Sequence, residues 1–163
     1  YEIRLSLVGS EMCIRDRTNI DIEVLDLYEE LDRGDLPTVM QHVQTILAGI
    51  LYGNIPNDET GRPLREQYYQ SVLYIVFRLL GIYARSEVVC ATGRVDMIVT
   101  TRRQVYIFEF KVNTQGTAQD AIDQIKDREY FRAVRTEGRP LHLVGVSFDE
   151  KTRNVGEWKE EVL

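Results

Sequence analysis

Asp96 and Glu109 are the two acids of this chain best placed to act together. They sit in Gly93-Arg94-Val95-Asp96-Met97-Ile98-Val99 and Val105-Tyr106-Ile107-Phe108-Glu109-Phe110-Lys111-Val112, two runs of strand character joined by Thr100-Thr101-Arg102-Arg103-Gln104. A hairpin centred on Arg102-Arg103 sets Asp96 opposite Glu109, with Lys111 two residues on and facing the same way. Opposed carboxylates repel. A divalent cation between them removes that cost. Mg²⁺, with Mn²⁺ as a substitute, takes oxygen ligands, typically one or two carboxylates plus waters and phosphate oxygens. Such an ion polarises a phosphoryl group and activates water, and a neighbouring lysine suits hydrolysis.

The same charges also fit a plain structural role. In this register Arg94 faces Lys111, and the diagonals Asp96–Lys111 and Arg94–Glu109 could be surface ion pairs of about 0–1 kcal/mol each. Ile98, Val105 and Ile107 share that face and point to a covered one, where unpaired charge is costly. Val95, Met97, Val99, Tyr106, Phe108, Phe110 and Val112 form the opposite, core-facing side. The two roles part on geometry: hydrolysis needs the carboxylates to converge in an open cleft with Lys111 beside them.

Flanking elements must hold this hairpin. Asp21 to Asp32 reads as a short acidic helix with Ile20, Val24, Leu25 and Tyr28 on one side, stopped by Gly34. Asp35 caps a second helix with Pro37 in its first turn and a stripe of Val39, Met40, Val43, Ile46, Leu47, Ile50 and Leu51. Gly53 to Pro63 is a loop and the best boundary. Leu64 to Leu80 is a third helix that places Glu66, Tyr69, Gln70, Leu73, Phe77 and Leu80 on one side. For Glu66 a solvated first turn is the plain alternative. Ile82 to Cys90 is a strand. Thr117 and Asp120 begin a fourth helix, expected to reach about Val134, with Ala118, Ala121, Ile122 and Ile125 buried and Gln124 and Arg128 flanking them. Leu141 to Phe148 is an interior strand, and Val155 to Val162 a last strand or short helix with Trp158 inward. The order predicts an α/β domain with a central mixed sheet flanked by helices.

Composition bounds the rest. At 163 residues the chain suits one domain, with 44% hydrophobic and 28% charged residues. A net charge of -6 argues against a broadly basic nucleic-acid-coating surface but allows a local cationic groove. No apolar run reaches the roughly 20 residues of a membrane span. Cys13 and Cys90 lack metal-ligand spacing and are expected to stay reduced, which fits a cytoplasmic protein. His42 and His142 stand alone, and an ordinary packing or surface role is expected for each rather than ligation.

Tyr1 to Arg17 reads differently. Ser6 to Arg17 resembles a translated sequencing-adapter artefact, and residues 1–17 are expected to be an artefactual or disordered leader. The natural protein would then begin further upstream.

Asp96 followed by Glu109-x-Lys111 on the next strand resembles the motif of the PD-(D/E)xK nuclease superfamily. Glu66-x-x-Tyr69-Gln70, Gly93-Arg94-x-Asp96, Phe108-Glu109-Phe110-Lys111, Ala121-x-x-Gln124-Ile125, Tyr130, Gly145-x-x-Phe148-Asp149 and Asn154 to Trp158 extend the match. Together they resemble the nuclease-like domain found C-terminal to bacterial AAA-type ATPase-like proteins. Val95 stands where the motif's proline would be.

The resemblance implies a restriction-endonuclease-like core over residues 61–163. Residues 18–60 would be a helical arm from a missing upstream ATPase-like portion; no Gly-x-x-x-x-Gly-Lys-Ser/Thr loop is present. It implies Asp96 and Glu109 as metal ligands with Glu66 in support, Lys111 as the catalytic lysine, and Gln124 bordering the site and touching substrate or water. The expected cofactor is Mg²⁺ (or Mn²⁺), and the expected substrate is nucleic acid, DNA before RNA. Arg94, Gln70 and Arg128 are candidate nucleic-acid contacts. The alternative is a non-catalytic regulatory or interaction module of an ATPase-linked protein.

Overall fold

The computed structural model describes residues 26–49, 65–79, 83–90, 93–134 and 136–163. The 1–17 leader and the 53–63 boundary lie outside these residues.

Residues 26–33 form helix α1, which ends in a left-handed Gly34 with φ of 87°. Asp35 N–H donates to Glu30 O and Gly34 N–H to Leu31 O, the paired bonds of a Schellman stop. Asp35 then caps α2 (Leu36–Gly49), its carboxylate accepting from the Thr38 amide and hydroxyl. The α2 stripe buries Leu36, Val39, Met40, Val43 and Leu47. In α1 the buried apolar residues are Leu27 and Leu31, beside buried Glu30 and Asp32. Tyr28, expected on the buried side, is only partly buried; the other three residues of that expected stripe are not described.

Helix α3 (Arg65–Leu79) buries Tyr69, Gln70, Leu73 and Phe77, the expected side. Five strands follow the order of the chain: β1 (Tyr83–Cys90), β2 (Gly93–Thr100), β3 (Val105–Val112), β4 (Leu141–Asp149) and β5 (Asn154–Val162). The β1–β2, β2–β3 and β4–β5 pairs are antiparallel and β3–β4 is parallel, so the sheet is mixed. The parallel step needs a crossover, supplied by α4 (Ala118–Asp127) and a 3-10 turn at Tyr130–Ala133.

Each sheet face has its own core. Helices α1, α2 and α3 cover Met97, Val99, Tyr106, Phe108, Phe110, Val144, Val146 and Phe148. Helix α4 and Tyr130 cover Val95, Ile98, Val105, Ile107, Leu141 and Leu143. The helices on either side of the expected boundary therefore share one core with the sheet. Asn154 Nδ2 also donates to Gln44 O, tying α2 to β5.

The β2–β3 register is the expected one: Met97, Ile98, Val99 and Thr100 face Phe108, Ile107, Tyr106 and Val105. Arg102 and Arg103 form the turn without glycine or asparagine. Their help comes from α1, where Asp32 accepts from Arg103 N–H at 3.0 Å and lies 3.6 Å from both guanidinium groups. Two expectations need correction. Val95 packs on the α4 side rather than with Met97, because β2 leaves the ladder at Asp96. The α4 helix stops at Asp127 rather than near Val134, since Glu129 adopts left-handed backbone and Tyr130 turns into the core.

The two histidines sit in different surroundings. His142 is buried between Glu160 (2.6 Å) and Gln104 (2.9 Å), and His42 lies 3.3 Å from Glu30.

Candidate active site

The site forms where β2 peels away from β3. Past Met97 the Asp96 side chain replaces the ladder, its Oδ2 accepting the Phe110 amide at 2.9 Å. The Asp96 carbonyl turns towards α3 and accepts from Gln70 Nε2 at 2.8 Å. Asp96 is thus fixed from both its neighbours, and its side chain remains partly exposed. Nothing in the residue sequence signals the Phe110 contact, because its donor is backbone.

Glu109 lies deeper, at 2% exposure. Its Oε1 accepts from Gln124 Nε2 and sits 3.6 Å from Lys111 Nζ. Lys111 Nζ in turn donates to Gln124 Oε1 at 2.7 Å. One glutamine amide therefore joins the acid and the amine, using its acceptor for one and its donor for the other. Gln124 does more than border the site. Among the described residues Glu109 Oε2 is buried with no hydrogen-bond partner.

The position of Gln124 follows from local sequence. Thr117 and Asp120 make the reciprocal capping box that starts α4. Ala118, Ala121, Ile122 and Ile125 bury one side, leaving Gln124 at its edge above β3. Gly145 on β4, paired with Glu109, lets the helix sit close; a Cβ there would be 2.1 Å from Ala118 O. Across the strand end, Ser147 Oγ donates to Gly116 O and holds the loop beside the Lys111 stem.

Burial is the main reason the Glu109 carboxyl is pushed up to about 8, with the Asp96 charge adding to it and Lys111 opposing. Asp96 is also raised, again chiefly by burial, against the Phe110 amide, Lys111 and Arg94. The Asp96 charge reaches Glu109, and neither expected diagonal, Asp96–Lys111 nor Arg94–Glu109, closes as an ion pair. Lys111 meets Glu109, while Arg94 meets Glu87 at 3.6 Å. The expected open cleft needs correction at Glu109, which is buried where α4 packs on β3, while Asp96 and Lys111 stay partly exposed.

The other expected residues are distributed around this centre. Arg128 caps the C-terminus of α4, with its guanidinium against Gly93. Gln70 is 8% exposed, with its amide on the Asp96 carbonyl. The backbone of Glu66 is in the first turn of α3, but its side chain lies outside the described residues. Among the described residues no three His, Cys, Asp or Glu side chains gather as a metal site. No helix among them is long and apolar enough to cross a membrane.

Over 129 residues the chain is 37% identical to the "Uncharacterized protein in vnfD 5'region" of Azotobacter chroococcum mcd 1, covering 79% of this chain and 25% of that protein. The chain thus spans about a quarter of the length of that curated relative. No solved structure matches the chain. The profile of the PD-(D/E)XK nuclease superfamily matches residues 64–158, which take in α3, β1 to β4, α4 and the first part of β5. With its mixed sheet covered by helices on both faces, the chain has the restriction-endonuclease-like α/β fold and belongs to the PD-(D/E)XK nuclease superfamily.

Proposed function

We propose that this chain is a divalent-metal-dependent nuclease that hydrolyses phosphodiester bonds, in DNA before RNA. One observation carries the reading: an oxygen of Glu109, buried and without a hydrogen-bond partner among the described residues, lies in a site shared with Asp96, with Lys111 braced beside it by Gln124. An orphaned buried acceptor costs about 1–3 kcal/mol, and two raised acids side by side add repulsion. Mg²⁺ or Mn²⁺ held by Asp96 and Glu109, with Glu66 in support, would relieve both. When bound, the ion supplies Lewis-acid stabilisation of charge on phosphoryl oxygens.

The protein's own groups do the remaining work. Lys111 Nζ orients the attacking water or offsets charge growing on the phosphate. Gln124 keeps Lys111 and Glu109 in register. The Phe110 amide and Gln70 hold Asp96 in place. Arg94 and Arg128, both exposed near the mouth, are proposed phosphate contacts. A relative four times the matched length supports a module of a longer polypeptide, and the resemblance to ATPase-linked domains supports an ATPase-like portion in it.

Cleavage of duplex, single-stranded and branched substrates in Mg²⁺ or Mn²⁺ tests the reading. Asp96→Asn and Lys111→Ala are expected to abolish cutting while circular dichroism shows the fold retained. A folded, metal-supplied native chain that cuts none of these substrates would favour the non-catalytic regulatory module instead.

A further inference from the structure

A cavity of about 310 Å³ opens between α3 and β1, lined by Gln70, Ser71, Tyr74, Ser86 and Glu87. None of these described lining side chains is a cation. It offers one aromatic ring, three hydroxyls (two from serines and the Tyr74 phenol), an amide and a carboxylate. The volume suits a small organic group of nucleoside size.

This cavity adjoins the acids. Gln70 belongs to both, lining the cavity while its Nε2 holds the Asp96 carbonyl. Glu87 sits across from Asp96 between the pairs Ser86–Met97 and Val88–Val95, and its charge reaches Asp96. Position 87 has φ of 51°, a left-handed conformation uncommon for a non-glycine residue inside a strand. Arg94 meets the Glu87 carboxylate there, with both side chains more than half exposed. Along α3, Ser71, Tyr74, Ile75 and Arg78 share one side, so exposed Arg78 lies one turn beyond the Tyr74 ring.

We propose that this cavity is a nucleoside subsite holding an unstacked base of a single strand beside the scissile phosphodiester, with Tyr74 as stacking surface and Glu87 as hydrogen-bond acceptor. The inference rests on the nuclease reading and deepens it by naming the substrate form. A base inside a duplex is stacked on both faces and cannot enter a pocket of this kind; an unpaired or extruded base can. Aromatic stacking tolerates every base, whereas a carboxylate acceptor favours bases that present an amino group, cytosine foremost.

The test uses the full chain and fluorescein-labelled oligonucleotides: oligo-dC, oligo-dT and a duplex of equal length. Binding is read by anisotropy in Mg²⁺ on a Lys111→Ala background, and cleavage on the otherwise native chain. Tyr74→Ala is expected to weaken single-strand binding about tenfold, the order expected for one lost stacked base. Tyr74→Phe keeps the ring and is expected to restore binding. Glu87→Gln is expected to reduce any preference for oligo-dC over oligo-dT, and duplex binding is expected to follow none of these changes. Equal losses with Tyr74→Ala and Tyr74→Phe, or equal losses on duplex and single strand, would overturn the subsite. Cleavage and binding by the native chain that all variants reproduce would remove the subsite and leave the nuclease reading standing. A native chain that neither binds nor cuts any of the three would remove both.

Discussion

Glu109→Gln isolates the electrostatic load of the site. Burial and Asp96 push the Glu109 carboxyl from 4.5 up to about 8. At 1.36 kcal/mol per pH unit, that rise corresponds to about 5 kcal/mol of preference for the neutral form in the folded state. The figure is an upper bound, because the cleft can hydrate and relax. Folded Glu109 holds its proton more tightly than unfolded Glu109. Its stabilising contribution is therefore complete below pH 4.5 and is lost as pH rises through about 8.

Glutamine is a neutral stand-in with no proton to lose. In chelator-treated samples, urea denaturation across pH 4–9 should show the native chain losing stability relative to Glu109→Gln as pH rises, by a few kcal/mol. The difference between the two proteins cancels the titration of distant groups. Adding Mg²⁺ or Mn²⁺ at pH 8 should then restore stability to the native chain and do little for the variant, because metal binding favours the ionised carboxylate. Parallel pH profiles for the two proteins would refute the electrostatic argument. Equal metal stabilisation of both would refute Glu109 as a ligand.

Gln124→Ala removes the amide that joins Lys111 to Glu109; cleavage should fall at least tenfold while unfolding free energy changes by about 1–3 kcal/mol, measured by steady-state kinetics and urea titration. Gly145→Ala forces a methyl group against Ala118 O, so the melting temperature should drop and activity should fall with it as α4 is pushed from β3. Asp32→Ala takes the carboxylate from the Arg102-Arg103 turn; a loss of about 1–3 kcal/mol is expected in denaturant titration, with faster amide exchange in the turn. For that variant, cleavage measured below the melting temperature should be nearly native, since the turn is at the far end of the hairpin from Asp96.

The chain's pattern of residue types settled much of this molecule. Alternation along β2 and β3, with the turn placed at Arg102-Arg103, fixed their register, because a slip of one residue would turn every side chain to the other face. The buried stripes of α2 and α3 and the capping box of α4 were legible for the same local reason: period and cap chemistry act within a few residues. The early stop of α4 was not legible, since the reward for turning at Glu129 is burial of Tyr130 against strands distant in sequence.

At the site, sequence could place Asp96, Glu109 and Lys111 near one another. Only the tertiary structure decided how they meet. The departure of β2 from the ladder, the Phe110 amide on Asp96 and the Gln124 bridge all depend on packing between elements far apart in the chain. Desolvation of Glu109 likewise exists only once α4 closes over β3, which Gly145 permits by having no side chain. Local periodicity tells which way a residue faces; what covers it, and so how strongly it holds a proton, is set by the assembled layers.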